Sequence, residues 1–569
     1  MPFPPLLVVR NSLSFVLFPN PFSVIESIYL PSTLPFLSDF LSILGKKPVR
    51  EIRKGEIYLH DRSGARKSSG SYFTREFAVE HILDTALEPA LNEHLSYMSK
   101  LSEAERGEQF FDFRIADIAM GSGHFLVAAI DRIERRFAIW LEENPTPGII
   151  RELQYLRDAA NKSLGDLADT FTLEDGQLLR RMIARRCIYG VDLNFTSVQL
   201  SQLSIWIHTF VPGLPLSLLD HNLIHGNSLI GVESLDQISE KFEEGKGTLF
   251  EINASNLLSQ AAEPLKKLAK LSDGSIKDIE KGRLLIEEAQ QELNEMKSLC
   301  DIIISKPLAN SPDSALAGYM FENWNPKKND IDNSSALRYV NHSSALQEAR
   351  KILEPITPIH FPVSFPEVFL SRSKGFNVIL GNPPWEEAIV NEDKFWARYN
   401  PGLSSLKPTD QENLKSKLKE ERSDLILEFK KELNQAKLDR DFLHAGNFPG
   451  MGTGDPDLYK AFLWRFWSLA SKNRGMIGVV IPRSGLSAKG SETFRRELFS
   501  TVGSIDVTTL QNKKRWVFDI HPQYTVALIS IYISKAVKTL QNSVSLKESL
   551  VEGFCNLGSK YVYNSNLEK

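Results

Sequence analysis

The sequence is poor in the features that mark disulfide-rich, zinc-binding and membrane-spanning proteins. Its three cysteines, Cys187, Cys300 and Cys555, lie far apart, so neither a disulfide framework nor a zinc motif is predicted. The net charge of −4 gives no global excess of basic residues for nucleic-acid binding, although a near-neutral total can hide a basic face. These absences predict a cytoplasmic protein without a bound metal.

Long hydrophobic runs are also missing, even from the apolar N-terminus. Prolines at positions 2, 4, 5, 19, 21, 31 and 35 interrupt every candidate span. No uninterrupted run reaches the roughly 20 apolar residues that a membrane helix needs. A signal peptide needs a basic start, and only Arg10 supplies one. We therefore predict that residues 1–64 are a packed arm, or follow a poorly chosen start site, and that the protein does not contact a membrane.

What is present is an alternation of strand and helix patterns from residue 72 onwards. Residues 72–91 fit a helix with Thr74 as its N-cap and an apolar face of Ala78, Ile82, Leu83, Ala86 and Leu87. Apolar strand patterns follow in "FDFRIADIAMGSGHF", "CIYGVDLN", "LIHGNSLIG", "FNVILGNPPW", residues 476–481 and "TVALISIYIS", most of them next to helical patterns. This alternation predicts an α/β fold with a doubly wound, mostly parallel sheet.

Long polar stretches divide this pattern into segments. The predicted segments are the arm 1–64, a first half of the domain at 65–235 with a helical insert at 141–186, a helical insertion at 236–375, a second half at 376–535 with an insert at 386–450, and a C-terminal remnant at 536–569. "DIEKGRLLIEEAQQELNEMKSL" predicts a helical hairpin arm. "NLKSKLKEERSDLILEFKKELNQAKL" predicts one charged helix, either a solvated face or a contact with a bound polymer.

Three polar sites follow predicted strands in the first half of the domain. Asp117 ends one strand, and Gly121 and Gly123 then form a turn that can bring a backbone close to a ligand. The turn lacks the lysine of a P-loop and the third glycine of a dinucleotide fingerprint, so an ordinary strand–helix turn remains the alternative. Asp192 can accept ribose hydroxyls, or cap a helix. Asn227 can contact a purine edge, or form a polar turn.

The fourth site is the rigid corner Asn382-Pro383-Pro384-Trp385, which follows the strand in "FNVILG". Prolines cannot donate to a sheet ladder and fix the backbone, so the corner presents an amide, proline carbonyls and a large ring. The alternative is a proline-terminated strand with a core tryptophan. Ligands of open α/β sheets lie beyond the carboxyl ends of the strands, and all four sites are predicted there.

These motifs together resemble the adenine-N6 DNA methyltransferases. "NPPW" resembles that family's catalytic tetrapeptide, and "DIAMGSGHF" resembles its cofactor loop, with Ile118 and Met120 in place of the usual proline and cysteine. "KSSGSYFTREFAVEHIL", "CIYGVDLN" and "LDHNLIHGNSLIG" are similar to segments of the large restriction-linked and phage-defence methylases. The resemblance covers about residues 65–235 and 370–535, and it implies a Rossmann-like methyltransferase fold.

The resemblance also implies a cofactor, S-adenosyl-L-methionine, and roles for individual residues. Cofactor binding is expected of Tyr72, Phe73, Thr74, Asp117, Ala119, Gly121, Gly123, Asp192 and Asn227. Catalysis is expected of Asn382, Pro383, Pro384 and Trp385. In "KKRWVFDIHPQY", Phe518 is expected to form a second wall for a flipped base, and Lys513, Lys514 and Arg515 are expected to meet phosphates, although a plain basic loop explains them almost as well.

The expected function is methylation of adenine N6 in double-stranded DNA, in restriction-modification or phage defence. The family's target-recognition domain normally follows the last strand, and few residues follow "TVALISIYIS" here. We therefore expect a truncated methylase or one that uses a separate recognition subunit. Two alternatives stay open: methylation of a protein glutamine or of RNA, and a non-catalytic or partner-dependent DNA-binding subunit of a defence complex.

Overall fold

The computed structural model describes residues 74–238, 254–305, 344–400, 402–444, 448–451, 456–512, 518, 525–533, 545–551 and 559–563. The chain divides into two compact units. One includes Asn391–Leu427, and the other includes the described residues of Gly70–Val390 and Glu428–Lys569. The strands named below belong to the second unit.

A nine-stranded sheet organises the described part of the second unit. Its strands are β1 (Ile115–Asp117), β2 (Ile188–Asp192), β3 (Leu223–His225), β4 (Val378–Gly381), β5 (Met476–Pro482), β6 (Ser504–Gln511), β7 (Thr525–Tyr532), β8 (Ser545–Val551) and β9 (Ser559–Tyr563). Their order is β3-β2-β1-β4-β5-β7-β6-β8-β9. Neighbours from β3 to β5 are parallel, and β7 runs antiparallel to both β5 and β6. β8 is parallel to β6, and β9 is antiparallel to β8.

Helices connect the strands. They are α1 (Glu76–Ile82), α2 (Glu88–Met98), α3 (Glu103–Gln109), α4 (His124–Glu143), α5 (Pro147–Leu164), α6 (Asp175–Cys187), α7 (Phe195–His208), α8 (Ala254–Lys270), α9 (Ile276–Ser305), α10 (Ser344–Leu353), α11 (Phe361–Ser364), α12 (Pro366–Phe369), α13 (Glu392–Tyr399), α14 (Pro408–Glu421), α15 (Ser423–His444), α16 (Leu458–Leu469), α17 (Ser484–Ser487) and α18 (Glu492–Thr501). Among the described residues, none of the helices combines the length and the hydropathy needed to span a membrane.

Both faces of the sheet are buried at its parallel central strands β1, β2, β4 and β5. In β1, Ile115 belongs to an apolar cluster with residues of α1, α2 and α4, whereas its neighbour Ala116 belongs to a second cluster with residues of α9 and α16. Alternate side chains of a strand point to opposite faces, so helices cover the sheet on both sides. The predicted α/β fold with a doubly wound, mostly parallel, Rossmann-like sheet is confirmed.

The first described helix has the predicted apolar face but not the predicted cap. Ala78, Ile82, Leu83, Ala86 and Leu87 are fully buried along α1 and the π-helical turn Leu83–Leu87 that follows it. The N-cap is Arg75, without a side-chain cap hydrogen bond, so the prediction of Thr74 was wrong. The Thr74 hydroxyl instead accepts a hydrogen bond from Asn382, a partner that local sequence cannot reveal.

Two of the predicted insertions, 141–186 and 236–375, contribute buried side chains to the apolar clusters that cover the sheet. Residues 141–186 include α5, a 3-10 turn at Gly165–Thr170 and most of α6. α8 and α9 form a helical hairpin, and Met296, Cys300 and Ile304 of α9 are buried in the same apolar cluster as Ala116. The C-terminal half of α9 is therefore part of the core, and the predicted hairpin is not a free arm.

The prediction of a single charged helix over 413–438 is wrong, because this segment forms two helices separated by one residue. α14 ends at Glu421 and α15 begins at Ser423, while Arg422 between them has φ −123° and ψ 68°. The Arg422 guanidinium donates two hydrogen bonds to the Asp424 carboxylate, at 2.9 Å and 2.7 Å. This local ion pair lies at the break between the two helices.

Three strands were not predicted: β6, β8 and β9. β6, "SIDVTTLQ", is largely buried despite its polar residues, because it lies between β7 and β8. β8 and β9 lie in residues 536–569, which were predicted to be a remnant, and they extend the sheet beyond β6.

Candidate active site

The four predicted polar sites follow four strands at the carboxyl edge of the sheet. Asp117 and Asp192 are the last residues of β1 and β2, Asn382 follows β4, and Asn227 lies two residues beyond β3. β2 and β3 extend the sheet on one side of β1, and β4 and β5 extend it on the other. β1 and β4 therefore flank the topological switch point, where open α/β sheets bind their ligands.

The glycine turn after β1 depends on left-handed backbone. Gly121 has φ +54° and Gly123 has φ +81°, and α4 begins at the next residue, His124. A Cβ on Gly121 would meet open space, whereas a Cβ on Gly123 would collide with the Ser201 hydroxyl of α7. Only the second glycine is needed for helix packing as well as for its backbone conformation.

Gly123→Ala is therefore expected to destabilise the protein more than Gly121→Ala. The left-handed backbone costs each alanine about 1–2 kcal/mol, and the collision with Ser201 adds about 1–3 kcal/mol for Gly123→Ala alone. Urea unfolding of both variants measures the difference. The double variant Gly123→Ala/Ser201→Ala should recover part of the loss, and equal unfolding free energies for the two single variants would contradict the packing role.

The two departures from the family loop are accommodated in the core. Ile118 and Met120 are buried, with 1% and 4% of their surface exposed. A Cβ on Gly190 of β2 would overlap the Met120 sulfur, so that glycine makes room for the methionine. The Met120 N–H also donates to the Val191 carbonyl at 3.2 Å. Both side chains therefore serve packing.

Asp192 fixes the glycine turn to the end of β2. Its Oδ2 accepts the Gly121 N–H at 2.9 Å, and its Oδ1 accepts the Asn194 N–H at 2.8 Å. Burial raises the pKa of Asp192, and these two hydrogen bonds act in the opposite direction. Each carboxylate oxygen retains a further lone pair, so the group can still accept hydroxyl donors.

Asp117 is a buried carboxyl group at the centre of the edge. Its Oδ1 accepts the Ala119 N–H at 3.0 Å, and a Cβ on Gly381 of β4 would lie 2.9 Å from the same oxygen. Burial raises the pKa of Asp117 to about 8, the Ala119 N–H lowers it, and the Asp192 carboxylate raises it further. The group is therefore neutral near pH 7 and would ionise beside a cation.

Asp117→Asn is expected to change the pH dependence of stability. The folded carboxyl keeps its proton to about pH 8, whereas an unfolded aspartate loses its proton near pH 4. Between these values the folded state binds more protons, so wild-type stability falls by up to about 1.4 kcal/mol per pH unit as pH rises. Asparagine keeps the acceptor for Ala119 without this titration. Urea unfolding at pH 5.5 and 7.5 should show that the free energy of unfolding of the variant, relative to wild type, increases with pH. Parallel pH profiles of the two proteins would refute the raised pKa of Asp117.

Asn227 is held in place by three neighbours. Its backbone N–H donates to the Thr357 carbonyl at 2.8 Å, and its Oδ1 accepts the Leu229 N–H at 3.0 Å. Its Nδ2 donates to Asp439 Oδ1 at 3.3 Å, and Gln435 Nε2 donates to the same oxygen at 2.9 Å. Burial raises the pKa of Asp439 to about 6. A carboxylate from α15 therefore reaches the end of β3.

Asn382 presents an acceptor that the described residues leave unused. Its Nδ2 donates to Thr74 Oγ1 at 3.1 Å. Its Oδ1 is buried and has no hydrogen-bond partner among the described residues. Leaving a buried acceptor unpaired costs about 1–3 kcal/mol, so this oxygen is poised for a donor that the described residues do not supply.

Trp385 and Phe518 lie together beside this corner. Their ring centroids are 5.3 Å apart in an edge-to-face contact, so no base lies between the two rings in this arrangement. The Trp385 indole N–H donates to the Val480 carbonyl at 3.2 Å. The Asn512 side chain pairs with both the N–H and the carbonyl of Phe518, at 3.1 Å and 3.0 Å. The orientation of the indole is therefore fixed on two sides.

Several predicted residues lie outside the described part of the chain. They are Tyr72 and Phe73 of the cofactor segment, and Lys513, Lys514 and Arg515 of the basic segment.

Sequence reasoning missed the contacts that tie the loops together. The Ser228 hydroxyl donates to the Ile118 carbonyl at 2.6 Å, which joins the segment after β3 to the segment after β1. Asp439 is one carboxylate among many in a charged stretch, and no sequence signal marked it. Its partner Asn227 lies 212 residues away along the chain.

The fold belongs to the doubly wound α/β class. Comparisons with known sequences show which proteins the chain is similar to. Residues 186–432, less than half of the chain, match the family described as Eco57I restriction-modification methylase. RM.MjaORFECS2P of Methanocaldococcus jannaschii, by name a type II restriction enzyme and methyltransferase, is 25% identical over 381 residues. The match covers 58% of this chain and 29% of that relative. These matches support a methylase of restriction-modification systems.

Solved structures give weaker likenesses. A DrdV–DNA complex has a TM-score of 0.36 at 11% identity, covering 86% of this chain and 28% of that one. The type ISP restriction-modification enzyme LlaBIII bound to DNA has a TM-score of 0.32 at 13% identity, covering 84% and 20%. A type I methyltransferase subunit from Streptococcus thermophilus has a TM-score of 0.19 at 12% identity, covering 74% and 87%. Likenesses this weak add nothing to the assignment.

Proposed function

We propose that this chain transfers a methyl group from S-adenosyl-L-methionine to the N6 amino group of adenine in DNA, in restriction-modification or phage defence. The observation that carries the proposal is the buried Oδ1 of Asn382, which faces no described donor at the end of β4. An exocyclic amine has two N–H donors. Asn382 Oδ1 can accept one of them, and the Pro383 carbonyl can accept the other.

These two acceptors address the chemical difficulty of the reaction. The lone pair of adenine N6 is delocalised into the ring, so the amine is a poor nucleophile. Acceptors held in fixed positions favour a more pyramidal nitrogen and stabilise the positive charge that develops on it. The prolines hold the backbone, and Thr74 holds the Asn382 amide.

The residues along the edge also fit the cofactor. S-adenosylmethionine supplies an electrophilic methyl group on a positively charged sulfur. Asp192, at the end of β2, has lone pairs for the ribose hydroxyls. Asn227 follows the neighbouring strand β3, where it can contact the purine. Asp117 is a carboxyl whose raised pKa would fall beside a positive charge, so binding near pH 7 should release a proton.

The DNA side of the proposal rests on Trp385. Enzymes that modify a base take it out of the duplex, and stacking on an aromatic ring contributes about 1–3 kcal/mol. Trp385 is partly exposed, and its orientation is fixed by Val480 and Phe518. We infer that the flipped adenine stacks on Trp385. A role for Phe518 as a second wall stays a prediction, and so does phosphate contact by Lys513, Lys514 and Arg515.

The test is tritiated methyl transfer from S-adenosylmethionine to mixed-sequence duplex DNA, with the labelled nucleoside identified and cofactor binding measured by calorimetry. Label in N6-methyladenine supports the proposal. Cofactor binding without transfer would favour the alternative of a methylase core that needs a recognition partner. Label in protein or RNA, but not in DNA, would replace the proposed substrate.

A further inference from the structure

Asp439 presents an acceptor next to a donor at the end of β3. Its Oδ1 is shared by the Asn227 and Gln435 amides, at 3.3 Å and 2.9 Å. Among the described residues, its Oδ2 has no donor, and the second N–H of Asn227 Nδ2 has no acceptor. Both side chains are held firmly: Asn227 by backbone contacts to Thr357 and Leu229, and Asp439 by Gln435.

A donor beside an acceptor is complementary to one edge of adenine. The Watson–Crick edge of adenine carries an acceptor, N1, beside a donor, the N6 amine. Hypoxanthine and guanine carry the reverse pattern, a donor at N1 beside an acceptor at O6. A carboxylate would repel that O6, because neither oxygen carries a proton to share.

The geometry points to Asp439 as a residue that selects adenine in the cofactor, by accepting the N6 amine of S-adenosylmethionine while Asn227 donates to N1. This inference rests on the proposed function, because it takes the cofactor as the ligand. It adds a specificity residue that α15 contributes to the edge.

The order of the strands supports this placement. β3, β2 and β1 are neighbours, and Asp192 at the end of β2 is paired in register with His225, two residues before Asn227. A nucleoside laid along the edge therefore places its ribose at Asp192 and its base one strand further out, at Asn227 and Asp439. Gln435 Oε1 provides a second, independent sign of a missing donor, since it is buried without a partner among the described residues.

The experiment compares the binding of S-adenosylhomocysteine and S-inosylhomocysteine by calorimetry, using the full chain. Wild type should prefer the adenine ligand. Asp439→Asn keeps an oxygen for Asn227 and Gln435 but places an NH₂ group where Oδ2 was. The variant should bind S-adenosylhomocysteine about 10- to 100-fold more weakly. The ratio of its affinities for S-adenosylhomocysteine and S-inosylhomocysteine should fall by at least about tenfold. Asn434→Ala, at an exposed position on the same helix, should leave the affinity for both ligands unchanged.

The outcomes separate this inference from the function on which it rests. If wild type binds S-adenosylhomocysteine and Asp192→Asn weakens that binding, an unchanged preference in Asp439→Asn overturns the role of Asp439 alone. If wild type binds neither ligand, the proposed function fails, and this inference fails with it. Asp439→Ala checks that the effect follows the lost acceptor, since it should also weaken adenine binding and lower the preference.

Discussion

Asn382→Ala is expected to remove most of the methyl-transfer activity and leave cofactor binding nearly unchanged. The substitution removes the Oδ1 acceptor, which is buried and unpaired among the described residues and is proposed to bind the target amine. Removing one preorganised polar group from an active site typically lowers the rate by about 10²–10³-fold. Single-turnover transfer to DNA measures the rate, and calorimetry with S-adenosylhomocysteine measures cofactor binding.

Two comparisons make the Asn382→Ala result specific. Asn92→Ala, at an exposed asparagine on α2, should transfer methyl groups at the wild-type rate. Thr74→Val removes the hydroxyl that accepts from Asn382 Nδ2 and should slow transfer, whereas Thr74→Ser should restore most of it. Wild-type transfer by Asn382→Ala would remove Asn382 from the mechanism.

Asp192→Asn is expected to weaken cofactor binding by about 10- to 100-fold, because hydrogen bonds to a charged group contribute about 1.5–3 kcal/mol each. The carboxylate is proposed to accept the ribose hydroxyls, and it also holds the glycine turn through Gly121. An asparagine keeps one acceptor and turns an NH₂ group towards a donor. Calorimetry with S-adenosylhomocysteine and a thermal unfolding midpoint should be measured together.

The matched control for Asp192→Asn is Asp220→Asn, at an exposed aspartate just before β3. It changes the net charge by the same amount without touching the carboxyl edge, so cofactor affinity should stay at the wild-type value. If both variants bind equally well, Asp192 is a structural clamp for the turn and does not hold the ribose.

The sequence was most informative where a buried strand ends abruptly. The apolar runs before Asp117, Asp192 and Asn382 predicted strands that end at one edge, because parallel strands buried on both faces read as continuous hydrophobic segments. The glycines after β1 were equally readable, since few other residues adopt their backbone conformation. These local signals predict a candidate site at one edge of the sheet.

The features that the sequence did not predict have a common physical cause, which is contact between distant segments. Thr74 looked like a helix cap, but its hydroxyl is committed to Asn382, 308 residues later. β6 carries polar residues that its position between two strands tolerates. Asp439 was hidden in a charged helix because only the folded chain brings it to Asn227. A local pattern cannot report a partner that lies hundreds of residues away.

The neighbouring positions of β1 and β4 have a consequence for synthesis of the protein. The two strands pair in parallel, yet residues 118–377, about 260 residues, separate them in the chain. A ribosome adding about 5–20 residues per second needs roughly 10–50 s to make that stretch. During that time β1 has an open edge where β4 will later bind, and the nascent chain must avoid pairing that edge with another strand. Gly381 lies against the Asp117 carboxyl only when this pairing is complete, so a chain interrupted before β4 carries three of the four polar sites and none of the acceptors proposed for catalysis.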